Sequence, residues 1–227
     1  MNYLKYALLT CAVLFAACGD DSSTSASDTP NNSVKTLPTK FTDVAANYLN
    51  PDYSYGEMTD ARDGHVYKTT TIGSQTWLAQ NLNYETANSV CFNNAADSCA
   101  KYGRLYSWND AKDACPSGWH LPDTTEWITL FTEVGGSSTA GRILKSQSGW
   151  KYDCNGTDAY GFSALPAGSR GNVGYFNCYG TNADFWSATE HSSDKAYDMY
   201  LNVIRPYAAA LFDRAKLAAS SVRCLKD

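Results

Sequence analysis

The side chains that could do chemistry are few. His65, His120 and His191 are the only histidines of the 227-residue chain. His120 stands between Trp119 and Leu121-Pro122, beside a helix cap, and reads as a structural hydrogen-bonding residue. Ser163 in Gly161-Phe162-Ser163 lacks the second glycine that a nucleophile elbow needs two residues on, because Leu165 stands there. Asp153, Asp158 and Asp184 show no regular calcium-loop spacing. No CxxC or HxxxH spacing occurs, so neither a metal nor a cofactor is expected. Arg170, Glu190 and Arg223 read as members of a buried, satisfied ion network, with a substrate clamp as the alternative. The triplet Trp108-Asn109-Asp110 reads as a coincidental grouping and not as a calcium site. The expectation is a non-catalytic protein.

Binding chemistry is better represented. Ser169–Asp184 carries Tyr175, Phe176, Asn177, Tyr179, Asn182 and Asp184 on a scaffold broken by Gly171, Gly174 and Gly180. Flat aromatic rings suit the apolar faces of sugars, and amides and carboxylates pair with sugar hydroxyls. Those six residues are the candidate ligand site, with a polysaccharide or a surface protein as partner. The competing reading has the tyrosines merely packing the loop.

The elements that would hold this segment are short. Asp63-Gly64 signals a turn before a strand at Val66–Ile72, and Gly73-Ser74 turns the chain into a returning strand at Gln75–Leu82. Asn83–Ala100 reads as loop, and Tyr106–Ala114 as a helix ending before Pro116. Asp123 with Glu126 forms a capping-box pattern, and Trp127, Leu130, Phe131 and Val134 follow at helical spacing. Another turn or two of helix is expected at Ala140–Lys145. From Trp150 onward the chain reads as β, beginning with the short apolar run Gly161–Pro166. Beyond it Phe185–Thr189, Tyr197–Ile204, Ala208–Phe212 and Ser220–Leu225 are candidate strands, with Tyr197, Met199, Leu201 and Val203 on one face. Strands, then helices, then strands imply an α+β domain with antiparallel sheets and two or three short helices.

The N-terminus and the cysteines place the domain. Met1–Lys5 and the apolar Tyr6–Ala17 are too short to span a bilayer and read as a removable leader, residues 1–17. The segment 18–52 opens with Cys18 and a Ser-, Thr-, Asp- and Asn-rich tether that cannot bury enough surface to order itself. The folded domain is expected over 53–227. The six remaining cysteines allow 15 pairings. The spacing favours Cys91 with Cys99, Cys154 with Cys178, and hence Cys115 with Cys224. A net charge of −5 argues against nucleic acid, which favours a basic face.

Several runs then become familiar. Leu14-Phe15-Ala16-Ala17-Cys18 resembles the bacterial lipobox, which implies lipid on Cys18, with Phe15 departing from its usual leucine. Asp20-Asp21 resembles the acidic surface-export signal of some Gram-negative lipoproteins and reads equally as linker solubility. Downstream, the runs Asp60-Ala61-Arg62-Asp63-Gly64, Ile72-Gly73-Ser74-Gln75-Thr76-Trp77 and Cys115-Pro116-Ser117-Gly118-Trp119-His120-Leu121-Pro122 stand out. With Tyr160-Gly161-Phe162-Ser163-Ala164-Leu165-Pro166, Phe185-Trp186-Ser187-Ala188-Thr189-Glu190 and Ser221-Val222-Arg223-Cys224 they resemble the Fibrobacter succinogenes major paralogous domain over about residues 59–227. The resemblance implies a C-type-lectin-like layout, shared with formylglycine-generating enzymes, and an exported, outer-membrane lipoprotein. It implies no particular reaction. The expected function is therefore a lipid-anchored envelope protein binding carbohydrate or another surface ligand. The alternatives are an assembly protein binding other proteins, or an enzyme related to the formylglycine-generating enzymes.

Overall fold

The computed structural model describes residues 44–205 and 208–227. The leader, Cys18 and the tether up to residue 43 lie outside the described residues. A 3-10 turn, Val44–Tyr48, leads into strands β1 (Gly56–Thr59), β2 (Val66–Ile72) and β3 (Gln75–Leu78). Helix α1 (Ala96–Tyr102), β4 (Leu105–Ser107), α2 (Trp108–Ala111), β5 (Trp119–His120), α3 (Thr124–Glu133) and α4 (Ser137–Leu144) follow. The second half supplies β6 (Ser169–Arg170), β7 (Phe176–Asn177), β8 (Asn182–Glu190), β9 (Lys195–Asn202), β10 (Ala209–Ala215), β11 (Ala219–Ser221) and β12 (Leu225–Lys226).

Two sheets result. The first runs β1-β2-β3-β12-β5, and the second β10-β9-β8-β11-β6-β7 with β4 paired to β11. Neighbours are antiparallel except for the single parallel contact of β11 with β8, Ser221 opposite Phe185. The α+β class is as expected from the sequence. The C-terminal strand β12 is inserted between β3 and β5, with Leu225 opposite Trp77 on one side and His120 on the other.

Helix α3 and the second sheet enclose the main core. Trp127, Leu130 and Phe131 of α3 meet Trp77 of β3, Phe185 of β8, Met199 and Leu201 of β9 and the loop residue Phe162. Trp77 and Trp127 stack at 4.8 Å. The alternation along β9 is the expected one, since Met199 and Leu201 are buried among these rings while Asp198 and Tyr200 project from the opposite face. Asp123 caps α3: its carboxylate accepts from the Glu126 N–H at 2.8 Å, and the Asp123 N–H donates back to Glu126 Oε2 at 2.8 Å. Asp123→Ala is expected to cost ~1 kcal/mol, read as a lowered melting temperature.

Three local readings change. The segment expected to be a helix over Tyr106–Ala114 is split, because β4 pairs with β11 through Tyr106 and leaves only four residues for α2. Gly161–Pro166 forms no strand, only the isolated bridge of Ala164 with Lys145. Helix α1 arises inside the stretch read as loop; it has no apolar periodicity, and Cys99 anchors it through the Cys91–Cys99 bridge. Residues just before the first strand are also held to the domain: Asn50 is buried and its Nδ2 donates to the Asp158 carbonyl at 2.9 Å.

Among the described residues the Cys91–Cys99 and Cys115–Cys224 bridges close as expected. Cys154 and Cys178, expected to pair, are both disulfide-bonded and neither is a free thiol. Cys154 is buried with its sulfur beside the carbonyls of Tyr152 and Val203, whereas Cys178 takes a left-handed φ of 60° where the chain leaves β7.

His120 is a clamp. Its Nε2 lies 2.9 Å from Glu126 Oε1 and its Nδ1 2.6 Å from Asp227 Oδ1, joining β5, the start of α3 and the C-terminus. Partial burial opposes the charged ring, but the hydrogen bonds to Asp227 and Glu126 outweigh it and hold the pKa above the ordinary 6.5. A folded-state pKa raised above the unfolded one contributes stability that is full below about pH 6.5 and is lost as pH rises through the folded value. His120→Gln should therefore lower the melting temperature more at pH 5.5 than at pH 8.5. Equal losses at both pH values would refute the clamp.

Candidate functional site

The segment singled out in the sequence divides between two adjoining surfaces. The first is the β6–β7 hairpin. Ser169 lies opposite Asn177 and Arg170 opposite Phe176. The turn closes by the Gly171 N–H donating to the Tyr175 carbonyl and the Gly174 N–H to the Gly171 carbonyl, both at 2.9 Å. Gly174 holds φ +96°, which a side chain would strain. At the base, Gly168 holds φ +67°, and a Cβ there would stand 2.4 Å from the Asn177 carbonyl oxygen. The hairpin thus folds back on its own root only because that position is glycine.

The tip is exposed: Tyr175 retains 78% of its surface and Val173 75%. Behind it lies an aromatic bed. Phe176 and Tyr179 each stand 5.2 Å from the buried Phe92, and Tyr179 meets Tyr102 of α1 edge-on at 5.4 Å. The Tyr102 hydroxyl donates to that of Tyr179 at 3.3 Å, and burial, with Tyr179 beside it, raises the Tyr102 pKa. Phe176 and Tyr179 therefore brace the hairpin, as the competing reading had it, while Tyr175 is free to meet a ligand.

Lysines line this bed. Lys101 Nζ lies 4.3 Å above the Tyr48 ring and 4.9 Å from that of Tyr102, and Lys151 Nζ lies 5.5 Å from the Tyr179 ring. Arg170 Nε donates to the Gly174 carbonyl at 3.4 Å, which sets the guanidinium under the turn.

The second surface is the outer face of the second sheet. Alternation places Asn182 and Asp184 of β8 there, beside Asp198, Tyr200 and Asn202 of β9. Arg214 of β10 reaches across: its Nε donates to Asp198 Oδ2 at 2.6 Å, Nη1 donates to Ser169 Oγ at 3.3 Å, and Nη2 lies 2.9 Å from Asp184 Oδ1. That last contact is an ion pair whose alignment misses a hydrogen bond, so both buried Asp184 oxygens lack a hydrogen-bond donor. Burial pushes the Asp198 carboxyl up to about 6, with Arg214 opposing and Asp184 reinforcing the shift. Ser169 links the two surfaces, because its hydroxyl also donates to Asn177 Oδ1 at 3.3 Å.

Of the six expected ligand residues, Tyr175 and Asn177 are therefore exposed on the hairpin, Phe176 and Tyr179 brace it, and Asn182 and Asp184 are buried on the sheet face. The sequence reading missed Arg214, Asp198 and Tyr200. The β9 alternation that marked Met199 and Leu201 as inward already put Asp198 and Tyr200 on the other side. It also missed Phe92 and Tyr102, whose role depends on a bed assembled from three separate segments.

The remaining chemistry-bearing residues have structural partners. Arg170, Glu190 and Arg223 do not share a network, because they lie on different parts of the fold. Arg223 is buried against neutral oxygens and Glu190 is exposed and pairs with Lys216. Ser163 is 3% exposed; its N–H and hydroxyl donate to Asp158 Oδ1 and Oδ2 at 2.7 and 2.6 Å. Burial pushes the Asp158 carboxyl up to about 6 despite those bonds. Buried Lys145 donates to the Asn202 carbonyl at 2.7 Å, and desolvation pushes its pKa down to about 7. Trp108 Nε1 donates to the Ser187 carbonyl at 2.8 Å, and Asp110 accepts from the Ser107 hydroxyl at 2.6 Å, so that triplet ties α2 to β8. No three metal-ligating side chains gather among the described residues, and no helix there is long and apolar enough to cross a membrane.

Comparison with known proteins places the chain in one family. No curated protein and no solved structure matches it. The family described as the Fibrobacter succinogenes major domain matches residues 70–226, which takes in both sheets' central strands and the hairpin. The chain belongs to the Fibrobacter succinogenes major domain family.

Proposed function

We propose that this protein is a non-catalytic envelope module that binds polysaccharide through the β6–β7 hairpin. The supporting observation is Tyr175, an exposed ring on a hairpin braced from behind by Phe176, Tyr179, Phe92 and Tyr102. A rigid support means little side-chain order is lost when a sugar face stacks on the tip. The exposed amide of Asn177 stands beside it, with a free edge for sugar hydroxyls. A non-catalytic role accords with Ser163 and Asp158 being buried against each other and with the histidine clamp being taken up by two carboxylates. A C-type-lectin-like layout, in which ligands meet the late loops, fits this location.

The disulfides accord with a non-cytoplasmic setting. With the apolar leader and the Leu14–Cys18 run, they support an outer-membrane lipoprotein held by lipid on Cys18, its ligand module carried on the tether. Membrane contact is then through the anchor, and nucleic acid is no partner.

A glycan array probed with the full chain, produced in an oxidising compartment, tests the reading. Tyr175→Ala should weaken binding roughly five- to thirtyfold, the usual cost of truncating a central aromatic at about 1–2 kcal/mol. Its melting temperature should hardly move, because the ring packs on nothing that keeps the fold. A folded, disulfide-intact chain that binds no glycan would overturn the proposal.

A further inference from the structure

We infer that the polysaccharide taken by the hairpin is an anionic one, carrying carboxylate or sulfate groups along its chain; this rests on the carbohydrate reading above. The argument begins with where the cations are left uncompensated. On other parts of the surface Arg62, Lys68, Arg104, Lys195 and Lys216 each hold a carboxylate within 4.0 Å, while Lys112, Arg205 and Lys226 hold none among the described residues but stand singly on separate segments. Lys101, Lys151 and Arg170 hold none among the described residues, and all three border the same aromatic bed. In a chain of net charge −5, three such cations on one surface form a local positive field within an acidic whole.

Their placement is built rather than incidental. Arg170 is fixed by its bond to the Gly174 carbonyl, so its planar fork lies against the residue that precedes the exposed Tyr175. Gly174 leaves room for it, since a Cβ there would stand 3.3 Å from Arg170 Nη2. Lys151 lies along Gly180, where a Cβ would stand 2.8 Å from its Cε, and its backbone N–H donates to the Gly180 carbonyl at 2.9 Å. A side chain at position 180 would push Lys151 off the Tyr179 ring. Lys101 is set between Tyr48 and Tyr102 at the far side of the bed. An acidic sugar chain could stack a ring on Tyr175, give an acid group to the Arg170 fork and extend over Tyr179 toward the lysines. A guanidinium suits a carboxylate or sulfate by paired hydrogen bonds, and lysines supply point charge.

The test titrates the full chain with polygalacturonate, dextran sulfate, uncharged dextran and polyglutamate, each at 50 and 300 mM salt. Binding of either acidic polysaccharide is expected, weakened about tenfold or more in Arg170→Gln/Lys151→Gln and weakened further by the higher salt. Lys151 is exposed and Arg170 is half-buried with one long bond to the turn, so the variant should melt close to the parent. Lys101→Gln, on a separate element, provides a second variant with the same expected direction. The preferred acidic polymer identifies the acid group. Dextran bound as tightly as the acidic polymers, with the Tyr175 dependence kept, would overturn the anionic inference and leave the carbohydrate reading standing. Unchanged affinity in both cation variants, or equal binding of polyglutamate, would also overturn it. Silence from all three polysaccharides would overturn both.

Discussion

Arg223→Met should lower the stability of the domain by about 3–5 kcal/mol, the cost of leaving several buried acceptors without their donor. For a domain of this size that is a fall in melting temperature of roughly 6–20 °C. Arg223 is 1% exposed, so nothing in water replaces what it donates. Its Nη2 donates to Asn81 Oδ1 at 2.7 Å, Nε to the same oxygen at 3.2 Å, and Nη1 to the Leu78 carbonyl at 3.1 Å and to the Phe162 carbonyl. Phe162 and Phe185 lie against the guanidinium at 4.5 and 5.4 Å. Methionine would keep much of the packing and abandon every bond, leaving three buried acceptors, each costing about 1–3 kcal/mol when orphaned. Burial already pushes the Arg223 pKa down to about 9, with Asp158 opposing, so the charge itself is poorly tolerated and the hydrogen bonds must offset it. Arg223→Lys should rescue only part of the loss, because an ammonium cannot reproduce a fork aimed at three acceptors on two segments. Thermal melts of the two variants decide the matter. A methionine variant melting within a degree or two of the parent would mean that the guanidinium stabilises nothing.

What could be read from the sequence follows from how local each cause is. Helix α3 was legible because its cap, its capping-box partner and its buried face all lie within Asp123–Val134, and each is a side-chain signature. Strand β9 was legible because Met199 and Leu201 alternate with Asp198 and Tyr200. Helix α1 was not, because Ala96–Tyr102 has no apolar stripe and is held by a disulfide and by Tyr102 reaching Tyr179. Arg223 was seen as buried but given the wrong partners, since two of its three acceptors are main-chain carbonyls, which every residue carries. The ligand site was half legible for the same reason. Aromatic and amide content marked the Ser169–Asp184 stretch, but strand alternation turns Asn182 and Asp184 under Arg214 while the hairpin turns Tyr175 outward. Which ring is offered and which is a brace depends on Phe92 and Tyr102, from segments more than seventy residues earlier.

Removing the Cys115–Cys224 bridge as the alanine pair should cost about 4–5 kcal/mol on the chain-entropy account, whereas removing Cys91–Cys99 should cost only about 2–3 kcal/mol. The difference comes from the loops closed: sequence separations of 109 and 8. The long bridge also acts where the fold is least able to hold itself. Strand β12 is two residues long, yet it sits inside the first sheet between β3 and β5. Leu225 makes the only register contact with β3, at Trp77. The segment before it carries more of the load: the Cys224 carbonyl accepts from the Leu78 N–H at 3.0 Å, and the Val222 carbonyl from the Leu82 N–H at 2.9 Å. So short a strand has little intrinsic tendency to stay paired, and Arg223 and the Cys224 bridge, both directly before it, supply the constraint. Loss of the long bridge should therefore show first as faster amide exchange at Leu78 and Leu82, before global unfolding, while the Tyr102–Tyr179 bed and the hairpin keep their protection. Loss of the short bridge should do the reverse, loosening α1 and the bed beneath Tyr175 with little effect on Leu78 and Leu82. If both bridges lowered the melting temperature equally and left the same amides exposed, loop length and the insertion of β12 would not be what sets their worth.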